Sequence, residues 1–241
     1  MVIAGWSVRG GSGTTVVCSA LASTWSRSVP TVLVDLCGDA PALFGRPTTT
    51  RPGLMHWCMA HQSVGPESIG DLVDTQGGKG TPDLLHAGQP LHRGEGGSEP
   101  DAAASRGEEQ RLEKRLQQGL QWLAQTYDRV VIDLGTRTDA RAEALLRAST
   151  ASLLVMRPCT ITMREAIRSK RAVVGTVLVG SGSGSLRADD VEALLGVPVF
   201  AHIPTVRSIP AAVDAGTFGQ RLPRQLRAPM QAVHTGLGTA P

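Results

Sequence analysis

The chain has 241 residues, 41% of them hydrophobic, which suffices for one large α/β domain or two small ones, with one as the default. Its 24 basic and 21 acidic side chains leave a formal charge of +3, far short of the basic stripe that phosphate-backbone binders carry, so charge argues neither for nor against nucleic acid. Four scattered cysteines with no C-x-x-C pair suggest neither a disulfide framework nor a zinc knuckle, and no apolar run approaches the roughly 20 residues of a membrane span, so a cytoplasmic protein is expected.

Short apolar, β-branched runs alternate with helical patterns along the chain, the signature of a parallel sheet with covering helices. In chain order the sequence predicts a strand at 1–6, a helix at 14–27, a strand at 31–36, a helix at 53–60 and a strand at 83–86. There follow a helix at 108–126, a strand at 129–134, a helix at 140–149, a strand at 152–157 and a helix at 160–171. A strand at 175–180, a helix at 188–195, a strand at 198–202 and a helix at 209–215 complete the pattern. Several strands are apolar at successive positions, as strands covered on both faces should be, the Val-Val-Ile-Asp-Leu run from Val130 to Leu134 most clearly. A mobile insertion is expected at about 87–106, rich in Gly, Ser, Pro and charge, with a Gly/Ser loop at 181–185 and a flexible tail after about 218. The whole, 1–241, reads as a single domain.

The strongest local feature is Val-Ile-Ala-Gly-Trp-Ser-Val-Arg-Gly-Gly-Ser-Gly-Thr-Thr-Val-Val from Val2 to Val17, which reads strand, glycine turn, helix. Glycines let backbone N–H groups converge on an anion, and the helix N-terminus adds a favourable potential. The bland alternative is a tight strand-to-helix turn of any doubly wound fold. Here the chain resembles the deviant Walker A loop of the ParA/MinD ATPases, Lys-Gly-Gly-x-Gly-Lys-Thr-Thr, which implies a nucleotide cradle of Gly10, Gly11, Ser12, Gly13, Thr14 and Thr15. Gly10, Gly11, Gly13 and Thr15 match that pattern, whereas both lysines are replaced. Arg9 stands where the family's signature lysine reaches across a dimer, and Thr14 where the P-loop lysine stands. With three lysines in the chain, Lys79, Lys114 and Lys170, no substitute is evident from sequence.

Two further strands end in acids. Val-Leu-Val-Asp-Leu-Cys-Gly-Asp looks like the family's Val-Asp-x-Asp motif, which places Asp35 near magnesium and puts Cys37 where the family's water-orienting aspartate belongs. Asp39 is the remaining candidate for that role, although a turn or helix-cap reading explains it equally. Tyr-Asp-Arg-Val-Val-Ile-Asp-Leu-Gly is the Walker B candidate, so the implied metal set is Thr15, Asp35 and Asp133, with Arg9 and Asp39 as catalytic candidates. Toward the C-terminus, Gly-Thr-Val-Leu-Val-Gly and Pro-Val-Phe-Ala-His-Ile-Pro look like the family's last two strands. Gly180 replaces its base-reading Asn, which leaves backbone around Pro204 and Thr205 as the nucleotide-edge contact.

The resemblance runs from about Val2 to Gly216 and is nearest in wording to actinobacterial septum-site-determining or CpaE/TadZ-like proteins. It implies a doubly wound, mostly parallel P-loop fold, ATP and Mg2+ as cofactors if the site functions, and a bacterial positioning protein for a division site, a pilus site or partition. A homodimer and a protein partner from such a system follow from the same resemblance. An active ATPase for DNA or cargo partition and a nucleotide-free adaptor stay open beside a pseudo-ATPase. The His56–His61 stretch reads as helix packing and not as a metal site, the arginines at 164–171 as a solvated face that leaves nucleic acid unsupported, and the tail as too proline-broken for more than peripheral membrane contact.

Overall fold

Runs of Val, Ile and Leu between polar helices can hide both faces only in a sheet covered on two sides, and the computed structural model has that arrangement. It describes residues 1–47, 52–75, 78–88, 102–180 and 186–239, and only the backbone of 102–106. Seven strands, β1 (Val2–Trp6), β2 (Thr31–Asp35), β3 (Asp83–His86), β4 (Arg129–Gly135), β5 (Ala151–Met156), β6 (Gly175–Val179) and β7 (Val199–Ile203), form one sheet in the order β3-β2-β4-β1-β5-β6-β7. Every pairing between them is parallel. The predicted strands agree with these bounds to within one residue at each end.

Strand side chains alternate between the two layers. On one face Val2, Ala4 and Trp6 of β1 join Val32 and Val34 of β2 and Val130, Ile132 and Leu134 of β4. Helices α3 (Leu54–Met59), α4 (Ala102–Thr126), α5 (Ala140–Ala148), α6 (Thr160–Ser169) and α7 (Ala188–Leu195) contribute to this layer. The intervening residues Ile3, Leu33 and Val131 point to the other layer, with α1 (Thr14–Trp25), α2 (Ala40–Leu43), α8 (Ser208–Asp214) and α9 (Arg224–Thr239). The period of two within each strand thus assigns every buried side chain to one of two cores.

Three elements differ from expectation. The chain after 218 is not a free tail: α9 packs against β7 and α1, burying Leu226, Met230, Val233 and Leu237. Trp25 Nε1 donates to His234 Nδ1 at 3.0 Å, fastening that helix to α1. Because this apolar stripe is spent on the sheet, it is not presented to a membrane surface, and among the described residues no helix is long and apolar enough to cross a membrane. Second, α4 starts at Ala102, inside the expected insertion, of which residues 89–101 lie outside the described residues. The expected 181–185 loop lies outside them too. Third, α2 and a 3-10 helix at Pro66–Leu72 occupy stretches for which no element was predicted. In the His56–His61 stretch the backbone N–H of Gly53 donates to His56 Nδ1 and His61 pairs with Ser63, while Trp57 and Cys58 are core residues and Arg115 of α4 both donates to the Trp57 carbonyl at 2.9 Å and stacks on its ring.

Candidate functional site

The C-terminal ends of parallel strands gather loops along one edge of the sheet, and the order reverses direction around β1, the switch point beside which open sheets of this kind bind ligands. The chain leaves β1 at Trp6, turns through the glycine loop and enters α1. Gly11 (φ +71°) and Gly13 (φ +85°) occupy the left-handed region that favours glycine, and the N–H of Val17 closes the first helical turn on the Gly13 carbonyl at 2.9 Å. A Cβ on Gly10 or Gly11 would meet nothing within 4 Å, so the loop faces open space. At Gly5 a Cβ would lie 2.3 Å from Cys18 Sγ, which shows how closely α1 rests on β1.

The loop is braced from within. The hydroxyls of Ser12, 2.8 Å away, and Ser7, 3.1 Å away, both donate to the Arg9 carbonyl. Arg157, directly after β5, donates from Nε to the Gly11 carbonyl at 3.0 Å. The Arg9 side chain, 49% exposed, pairs with Glu165 of α6 at 3.7 Å; an exposed pair of this kind contributes little to stability. Thr14, where the sequence resemblance would put a lysine, is a small, uncharged side chain buried at 5% exposure.

The acids come from neighbouring strands. Asp35 and Asp133 are register partners on β2 and β4, and both are fully buried. The Asp35 carboxylate organises its own turn: Oδ1 accepts from the N–H groups of Cys37 (2.9 Å) and Gly38 (2.8 Å), and Oδ2 from Ala40 (3.0 Å). Burial raises its pKa, opposed by those three donors. Asp133 is less well served. Its Oδ1 accepts from Gly135 at 3.0 Å, while Oδ2 is buried without a hydrogen-bond partner, and burial lifts the pKa to about 6. The Thr15 hydroxyl lies close enough to favour the ionised form, although it makes no hydrogen bond of full geometry to Oδ2. A buried carboxylate oxygen with an unshared lone pair, a hydroxyl beside it and a second carboxylate next to it is a donor set that suits Mg2+, a hard cation with oxygen ligands.

Donor atoms of Asp35, Cys37 and Asp133 all lie within 4.8 Å of one another. The Cys37 thiol, exposed at the turn, has its pKa raised first by burial and then by the Asp133 and Asp35 charges. Asp39 is exposed at the start of α2 and makes no side-chain cap bond, so capping does not explain it; its charge acts on both Asp133 and Cys37. At the far side of the loop, a Cβ on Gly13 would sit 3.4 Å from Val179, and one on Gly180 would sit 3.8 Å from the Thr205 hydroxyl. His202 Nε2 donates to the Gly180 carbonyl at 2.6 Å, tying β6 to β7. Pro204 and Thr205 are exposed on this rim. The structure therefore gathers Gly10–Thr15, Asp35, Asp39, Asp133, Pro204 and Thr205 along one edge.

Sequence reasoning missed Arg157 and Glu165. Arg157 carries the same signal that marks Asp133, a charged residue delivered by a buried strand to the C-terminal edge. Cys159, next along, shares its thiol with the Thr162 hydroxyl at 3.0 Å, and that bond leads the causes that lower its pKa.

No family model matches the sequence, and no curated protein matches it. Among solved structures, the septum site-determining protein MinD of Pyrococcus horikoshii, complexed with Mg-ADP, aligns over 97% of this chain and 94% of its own at 14% identity and a TM-score of 0.70. A ParA family ATPase from Chlorobium tepidum aligns over 97% and 98% at 17% identity and a TM-score of 0.72. A Cyanothece McdA variant in complex with ATP aligns over 98% and 96% at 17% identity and a TM-score of 0.74. At these identities the likeness is one of fold, and the chain has the doubly wound P-loop architecture of these ATPases.

Proposed function

We propose that this chain is a spatial-positioning protein of the ParA/MinD class, at a division site, a pilus site or in partition, which binds ATP and Mg2+ weakly and turns ATP over slowly or not at all. One observation carries the reading: the loop keeps its glycine geometry while position 14 is a small buried threonine and Arg9 is drawn to Glu165. Losing one group that stabilises transition-state charge costs roughly 3 kcal/mol, a rate loss of about a hundredfold or more.

In this reading backbone N–H groups of Gly10 to Thr14 and the α1 N-terminus hold phosphate, Thr15 and Asp133 hold magnesium with Asp35 behind them, and Pro204 and Thr205 edge the base. Bound Mg2+ would supply charge neutralisation at the phosphate oxygens. Cys37 at the place of a water-orienting acid leaves Asp39 as the acid nearest that task. What the site then offers is a nucleotide-dependent surface for a second copy or a protein partner, in the manner suggested for the CpaE/TadZ-like proteins the sequence resembles.

A second reading, an active partition ATPase, is favoured by Arg157, a cation that reaches the Gly11 carbonyl. Thermal-shift titrations with ATP, ADP and Mg2+, run beside phosphate release, separate the two. The expected result is stabilisation at high nucleotide concentration without release, and a T14K variant that tightens ATP binding about tenfold. Phosphate release by the unaltered chain, abolished in R157A, would overturn the first reading in favour of the second, and no response in either T14K or the unaltered chain would leave a nucleotide-free adaptor.

A further inference from the structure

We propose that Cys37, Asp133 and Asp35 form a site for a thiophilic divalent cation of the zinc or cobalt type, so that this edge of the sheet prefers a transition metal to magnesium. The inference goes beyond the functional reading above, since the site stands without a nucleotide.

Its parts come from two adjacent strands. Asp35 and Asp133 face each other in register, and the bonds from the Cys37 and Gly38 amides to Asp35 Oδ1 fold the chain back after β2. That fold brings the thiol over β4, with Sγ 3.9 Å from the Asp133 carbonyl. Gly135 makes room for it, because a Cβ there would stand 2.4 Å from the sulfur. The three donor atoms lie within 4.8 Å of one another. Tetrahedral zinc bonds of about 2.0 Å to oxygen and about 2.3 Å to sulfur set donors roughly 3.3–3.5 Å apart, so the cluster closes by at most about 1.5 Å, shared between rotation of the Cys37 thiol and of the two carboxylates.

An acidic cluster alone is no site. Here Asp133 Oδ2, on a fully buried side chain, accepts no hydrogen bond from the described protein residues, although buried carboxylate oxygens are ordinarily bonded. Asp35 Oδ2 accepts a single bond, from Ala40, and keeps a lone pair. Two carboxylate oxygens and one thiolate make a mixed hard and soft set, and the sulfur tips selection toward zinc, cobalt or cadmium over magnesium, which takes oxygen alone. Binding releases the thiol proton to water, and the exposed side of Cys37 leaves a fourth position for solvent.

The test is titration of the full-length, nucleotide-free chain with Co2+. The expected result is a thiolate-to-cobalt charge-transfer band in the near ultraviolet that saturates at about one equivalent, is displaced by Zn2+ and survives excess Mg2+. The band should vanish in C37S and persist in C159S, and Co2+ affinity should fall at least about tenfold in D133N. Absence of a band, its persistence in C37S, or its displacement by Mg2+ would each overturn the proposal. C37S is checked for an unchanged unfolding transition, so that loss of the band reports the ligand and not the fold. Failure of ATP to bind would leave this result untouched, and the two readings are therefore separable.

Discussion

Burial acts on Asp133 more strongly than its few donors can offset, and the consequence is a pH dependence. The folded-state pKa of about 6 stands above the roughly 3.9 of an unfolded aspartate, so between those values the folded chain holds a proton that the unfolded chain has lost. Stability from this group is therefore greatest below about pH 4 and falls as pH rises through the window to about 6, the reverse of a salt-bridged acid. In metal-free buffer, D133N should raise stability at pH 7 by up to about 3 kcal/mol and flatten the slope between pH 4 and 6, measured by urea unfolding across that range. A D133N chain less stable than the original at pH 7 would contradict this account. Asp35, Asp133 and Thr15 were legible in sequence because each sits where a buried run ends or a helix begins. The contacts of Arg157 with Gly11 and of Arg9 with Glu165 were not, because they join residues 146 and 156 positions apart and depend on which strands are neighbours.

At the scale of elements, α9 is the instructive case. Its buried residues Leu226, Met230, Val233 and Leu237 recur at helical spacing and could be counted in the sequence, but Pro223 and Pro229 argue against a helix. Pro223 precedes the helix and costs it nothing. Pro229, inside the helix, costs about 3 kcal/mol relative to alanine, whereas burying four apolar side chains returns about 1.5–3 kcal/mol each, so tertiary packing decides. Met230→Ala should accordingly destabilise the whole protein by about 2–5 kcal/mol in chemical denaturation, and an unchanged midpoint would mean that α9 is only loosely docked. The seven strands were legible for the opposite reason, since β-branched runs bounded by turn residues leave few alternatives at that length.

The whole molecule is organised around β4 and β1, each hydrogen-bonded on both sides, with β3 and β7 at the margins. Hydrogen exchange should rank the backbone in that order, slowest in β1 and β4 and fastest at the marginal strands; comparable protection throughout would show that the sheet opens only by global unfolding. The doubly covered architecture was visible in sequence from the continuous apolar strands, but the strand order was not, since it is fixed by crossovers whose direction no local pattern records. The tight seating of Cys18 against Gly5 has its own consequence. With α1 held that near to β1, the chain between them is a bridge with both abutments fixed, and its path is set before any anion arrives. On the reading proposed above, the two replaced lysines cost the loop attraction and not order, so restoring them would need no rebuilding of the span.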